Sequence, residues 1–219
     1  MLAPPTNCDS VEVLPLKDIR NKTNDPCISK TVEAALKANN GIEGMLAGII
    51  QRFDASKTVT INIFDGTTQS GGPGQYQSGG YVGNVFQANI TLSTSFMNNS
   101  SKEFAISTLI HDFVHAYIHT SNSPILQADH ETISSKYIDP MATYLSQYFG
   151  MSTKDSYALA WFGVGDSTVF NSTTPSNKEY KMSNGLMITK SEINNIAIAY
   201  SANQKYAEDD TKRGIAICK

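Results

Sequence analysis

Apolar and polar positions divide the chain into a helical opening, a middle stretch of strands and a long helical second half. Val32, Ala35 and Leu36 recur at helical spacing behind Asp25-Pro26, a start signal in which Pro sits where its missing N–H costs nothing. After Gly41 a second stripe, Ile42, Met45, Leu46, Ile49, Ile50 and Phe53, predicts another helix. Residues 58–64 (TVTINIF) alternate β-branched and polar side chains and predict a strand, as do residues 85–92 (VFQANITL). Between them residues 70–80 (SGGPGQYQSGG) predict a glycine-rich loop, a mobile hairpin or flap over a cleft.

In the second half Ser100 and Glu103 form a capping-box pattern, which predicts a helix running to about Thr120. Ser123-Pro124 predicts the start of the next helix, ending at Gly150, with Pro140 kinking or breaking it. Residues 155–162 predict a short helix holding the single Trp, Trp161. Thr189 and Glu192 form a second capping box, ahead of a last helix with Ile193, Ile196, Ala197 and Tyr200 on its apolar face. No internal repeat or low-complexity tail interrupts this order. Helices, then strands, then helices predict one α+β domain over residues 1–219 with a small sheet. Residues 1–25 read as an irregular N-terminal arm and residues 150–219 as a helical C-terminal portion.

Composition narrows the partners. The 219 residues, 40% hydrophobic, suffice for a core, and a net charge of -3 without any basic cluster argues against nucleic acid. No apolar stretch reaches the roughly 20 residues that span a bilayer. The opening MLAPPTNCDS lacks the basic and apolar regions of a signal peptide, so the protein is cytosolic or a leader has been removed. A chain rich in Ser, Thr and Asn and poor in Lys tilts the expectation towards export, to the periplasm, the surface or the medium. Cys8–Cys27 and Cys27–Cys218 are both writable, as are three reduced thiols. The triplets at Asn89 and Asn171 add little, and the oligomeric state is not legible.

The chemistry concentrates in one place: all four histidines lie between His111 and His130. His111 and His115 are four apart on a predicted helix and project from one face on successive turns. Two imidazoles so placed can hold one zinc ion and leave room for a third ligand and a water. Leu109, Ile110, Phe113 and Val114 bury the rest of the helix, which turns the histidines into a cleft. His130 is the leading third ligand, with Asp129 and Glu131 as its rivals. His119 is weaker, since a ligand one turn further would draw the ion away from His111; it reads as a solvated residue near the helix end. The bland alternative for a single buried His is a hydrogen-bonded core residue.

The segment TLIHDFVHAY followed by His130 resembles the SprT-like branch of the zincin metallopeptidases. The resemblance covers residues 85–162 and is specific around the histidines; YALAWFGVGDST, residues 157–168, is similar to a tract of those proteins. It implies a zincin-like fold: a small, mostly antiparallel sheet packed on an active-site helix, with a second helix carrying the third ligand. It also implies one Zn2+ ion on His111, His115 and His130, position 112 as general base, and a peptide or protein substrate. No basic tail is present, so no nucleic-acid role comes with it.

The departure lies at Asp112, where the motif has Glu. Asp has the charge and pKa for the task but one methylene less, which moves its oxygens by on the order of 1 Å and can cost about 10²-fold in rate. A zinc metallopeptidase and a catalytically silent, zinc-binding module for a protein partner both remain in play. Tyr137, seven residues after His130, is a candidate oxyanion donor as well as a core aromatic. Asp139 and Tyr144 read as structural, and Glu103 as a cap. The glycine-rich stretch lacks the ending of a phosphate-binding loop, and no histidine precedes His111 to complete a phosphohydrolase site of the HD type. The strand at 87–92, just ahead of the histidine helix, is the candidate rail for an extended substrate.

Overall fold

Alternation along the strands builds the sheet first. In the computed structural model, which describes residues 18–38, 41–120, 126–203 and 212–218, four strands form: β1 (Ile19–Asn21), β2 (Val59–Gly66), β3 (Gly74–Val82) and β4 (Val85–Ser93). Ile61, Ile63, Ala88, Ile90 and Leu92 are buried on one face, while Asn62 donates from Nδ2 to Asn89 Oδ1 at 3.1 Å on the other. β4 alternates buried and half-buried positions, as a strand with one face on the core does, whereas β2 is buried on both faces from Val59 to Ile63.

The strand order is β1-β2-β4-β3, and the sheet is mixed. β1 pairs parallel to β2, and β2 parallel to β4; only β3 runs antiparallel, along β4. The expectation of a mostly antiparallel sheet is therefore corrected. The cause is the connection after β2, which carries the chain past one empty place before β3. A tight turn at Gly83 (φ 61°) then brings β4 back to fill that place. Residues 74–82 form this edge strand rather than a loop, with a register shift between Ser78 and Gly80. The described part of the expected irregular arm includes β1.

The helices follow their caps. Asp25 accepts from the Cys27 and Ile28 amides at 2.9 and 3.1 Å and starts α1 (Pro26–Ala38), followed by α2 (Met45–Asp54) and the short α3 (Thr94–Met97). The histidine helix is α4 (Lys102–Thr120). Its cap is Ser101, whose hydroxyl accepts from the Phe104 amide at 3.1 Å. Ser100 instead donates to the Phe96 carbonyl, and Glu103 accepts from the Ile215 amide at 2.9 Å, so the capping box read from Ser100 and Glu103 does not form. α5 (Leu126–Lys136) and α6 (Ile138–Phe149) meet at Tyr137. Pro140 lacks an amide and crowds the Lys136 carbonyl, which breaks the helix there. The start read at Ser123-Pro124 lies outside the described residues.

α6 ends on left-handed Gly150 (φ 68°). α7 (Thr153–Phe162), capped by Ser152, leads to a two-stranded hairpin, β5 (Glu179–Lys181) and β6 (Met187–Thr189), within the portion expected to be helical. α8 (Lys190–Tyr200) starts on the complete Thr189–Glu192 capping box. Residues 212–218 then return as a strap. Ile215 accepts from the Lys102 amide at 2.7 Å, the Ile217 amide reaches Ser100, and Cys218 is disulfide-bonded to Cys27 in α1. Cys8 lies outside the described residues. No described helix is long and apolar enough to cross a membrane.

Candidate metal centre

α4 is apolar almost all round: Leu109, Ile110, Phe113 and Val114 are buried in the core. One stripe of it, Phe104, Ser107, Thr108, His111, Asp112 and His115, faces a cleft of about 950 Å³. α5 packs across and brings His130 to the same point, so that ligand atoms of His111, His115 and His130 lie within 4.8 Å of one another. His111 Nε2 and His115 Nε2 are 3.0 Å apart. Two nitrogens on a tetrahedral zinc at ordinary bond lengths are separated by about 3.3 Å, so this spacing fits one shared ion. Three imidazoles are also a donor set that leaves zinc an open fourth position.

His115 is held by hydrogen bonds. Its Nδ1–H donates to Asp129 Oδ2 at 3.2 Å, which leaves the Nε2 lone pair for a metal. The same Asp129 oxygen accepts from His119 Nε2 at 2.7 Å, and Asp129 is fully buried. Tyr76, from β3, stacks on His115 (centroids 5.6 Å, planes at 15°) and meets His119 edge-on at 5.1 Å. Its hydroxyl is buried without a hydrogen-bond partner, and burial pushes the phenol well above its usual range. Asp129 is thus a support for His115, and His119 is a half-buried part of that support rather than a solvated helix end. Glu131 is engaged elsewhere: it accepts from the Thr168 amide at 2.5 Å and the Thr168 hydroxyl at 3.0 Å, tying α5 to the loop after α7. Of the candidate third ligands, only His130 points to the cluster.

His111 is held by contact instead. Its Nδ1 is buried without a hydrogen-bond partner, and Gly163 lies directly against the ring. A Cβ at Gly163 would meet His111 Nδ1 at 2.5 Å and Cε1 at 2.7 Å. Burial, then the neighbouring His115 and His130, holds the His111 imidazole well below its ordinary pKa. Burial followed by His115 lowers His130 as well, while Asp166, 3.8 Å from its Nδ1, pulls the other way. Neutral imidazoles are the form that binds metal.

Asp112 is buried, and its Oδ2 is sealed from solvent with no hydrogen-bond partner. Burial pushes its carboxyl up to about 8. A nearby dication favours the ionised form and opposes that shift. Gly74, the first residue of β3, lies against this carboxylate. Tyr137 is not among the cleft-lining residues: it is buried and packs on Tyr117 at 6.4 Å. Tyr144 is core, and Asp139 accepts a hydrogen bond from the Tyr157 hydroxyl.

Sequence reasoning missed Asp129 as a support, Tyr76 as a cover for His115, and the two glycines that wall His111 and Asp112. The glycines leave no trace in a pattern of apolar and polar residues. Compared with known proteins, the chain matches no protein-family model, no curated protein and no solved structure.

Proposed function

We propose that the chain is a zinc-dependent metallopeptidase that cuts internal peptide bonds of an extended substrate. The observation that carries this reading is the convergence of His111, His115 and His130 at the floor of a cleft, with Asp112 beside them. A zinc ion on the three imidazoles would supply Lewis acidity towards water and the scissile carbonyl. Asp112, ionised, takes the proton of the attacking water and returns it to the leaving amine. Asp129 keeps the proton of His115 on Nδ1, and Tyr76 keeps water off that pair.

The rail for substrate is β3 rather than the stretch at 87–92. β4 is paired on both sides, to β2 and to β3, and its amides and carbonyls are spent. β3 has no partner on its outer side among the described residues, and Gly74, Gln75 and Tyr76 line the cleft. An extended peptide adds there as a further strand. The described lining includes no Lys or Arg, hence no counter-ion for a phosphate or a terminal carboxylate. That favours a neutral, internal stretch of chain. The Cys27–Cys218 bond supports an exported protein, since disulfides persist in oxidising compartments.

A second reading, a zinc-binding module without turnover, is favoured by one observation: the short Asp112 carboxylate has its Oδ2 sealed from solvent. Digestion of casein by the zinc-loaded protein, with a chelator control and the His111→Ala variant, separates the two. Cleavage that both treatments abolish supports the peptidase. Zinc-loaded protein that leaves casein and a peptide library intact sinks it in favour of the module.

A further inference from the structure

Asp112 stands where the resembling motif carries Glu, and the wall facing it is equally unusual. β3 enters the cleft at Gly74, and a Cβ there would lie 2.9 Å from Asp112 Oδ2 and 2.4 Å from Thr108 Cγ2. Thr108 has little room to give. Thr108 donates from Oγ1 to the Phe104 carbonyl at 3.0 Å, which fixes its rotamer and keeps the methyl aimed at Gly74. The strand cannot retreat readily either. The Ser93 amide donates to the Pro73 carbonyl at 2.9 Å, and the Thr68 hydroxyl to the Gly72 carbonyl at 2.7 Å, which pins the approach to β3.

We propose that Gly74 is a positioning residue matched to Asp112: the side-chain-free start of β3 closes on the shorter carboxylate, so that this cleft accepts Asp at 112 and rejects Glu. A longer acid at 112 must displace β3 or swing its oxygens away from the histidines. The role in turnover rests on the proposed peptidase activity, while the fit between positions 74 and 112 does not depend on it.

Two measurements on the zinc-loaded full chain test the pair. The first is a thermal-melt cycle of Gly74→Ala and Asp112→Ala, run in a Thr108→Ser background so that the carboxylate is the close contact that remains. The expected result is non-additivity: Gly74→Ala lowers the melting temperature by several degrees beside Asp112, and by clearly less beside alanine. Additive shifts overturn the proposal. If no Gly74→Ala protein can be recovered, Asp112→Glu decides: a lower melting temperature than wild type supports the fit, and an equal or higher one refutes it. The second is kcat/KM on casein-derived peptides, with bound zinc measured alongside. Asp112→Glu is expected to keep one zinc per chain and lose at least about tenfold in kcat/KM. A Glu variant as active as wild type, or more so, overturns the match. A wild type that cleaves nothing defeats the peptidase reading, and the melt cycle still decides this one.

Discussion

His111 and His115 face the same point from adjacent turns of α4, yet the protein holds them in opposite ways. His115 is fixed by partners: an Asp129 hydrogen bond behind it, His119 behind that, and the Tyr76 ring across its face. His111 is fixed by lack of space, its ring pressed by Gly163 and its Nδ1 without a partner. A hydrogen bond sets both the tautomer and the direction of an imidazole; a steric wall sets only the direction. Damage to the two supports should therefore differ in kind as well as in size.

The largest effect is expected from removing a ring itself. His115→Ala should lose its zinc on dialysis, read as metal per chain falling from about one to near zero. Retention of stoichiometric zinc would remove His115 from the centre. Next comes the wall: Gly163→Ala forces a methyl to 2.5 Å from His111 Nδ1. Overpacking of this kind costs about 1–3 kcal/mol of stability, and zinc affinity should drop with it in a competition titration against a chelating dye. An affinity equal to wild type would mean that the ring has room to turn. Asp129→Asn then probes the hydrogen-bonded side. Loss of such a supporting carboxylate weakens metal binding by about 10–100-fold, while the fold should persist because the side chain keeps its shape. A larger loss than Gly163→Ala shows would invert the comparison.

The smallest effect concerns pH in zinc-free protein. The Asp112 carboxyl is raised to about 8, so folding favours its neutral form. That contribution is fully present below its ordinary value near 3.8 and is lost as pH rises towards 8. The His111 imidazole is lowered, so its contribution is full above about 6.5 and is lost as pH falls below that. The melting temperature should thus be limited by Asp112 on the alkaline side and by the histidines on the acid side. Asp112→Asn should raise it at pH 8 and leave it unchanged at pH 4. A rise of equal size at both pH values would show that ionisation of Asp112 is not the cause.

The parts legible in sequence were those set by local periodicity. The i, i+4 spacing of His111 and His115 needs only a helix to bring them together, and the apolar residues between them guarantee burial. Pro140 and Gly150 marked real helix ends because their backbone preferences act locally. β3 was hidden because its glycines lack side-chain alternation, while its pairing comes from β4, which follows it in the chain. Parallel pairing was equally invisible, since it depends on which gap the returning strand fills. The role of Asp129 depends on how α5 crosses α4, and nothing in its own neighbourhood distinguishes it from Glu131, two residues on, which ties down a loop instead. Tyr137 stands at the break between α5 and α6, so helical phase from His130 does not carry across to it.

The Cys27–Cys218 bond has a consequence for wear. It joins residues 191 apart, so nearly the whole described chain lies inside one covalent ring. A single cut of the backbone anywhere within that ring, by this protein's proposed activity or by another protease, opens the ring without releasing a fragment. The nicked molecule keeps its mass until the disulfide is reduced, and on a non-reducing gel it stays one band where a reducing gel resolves two.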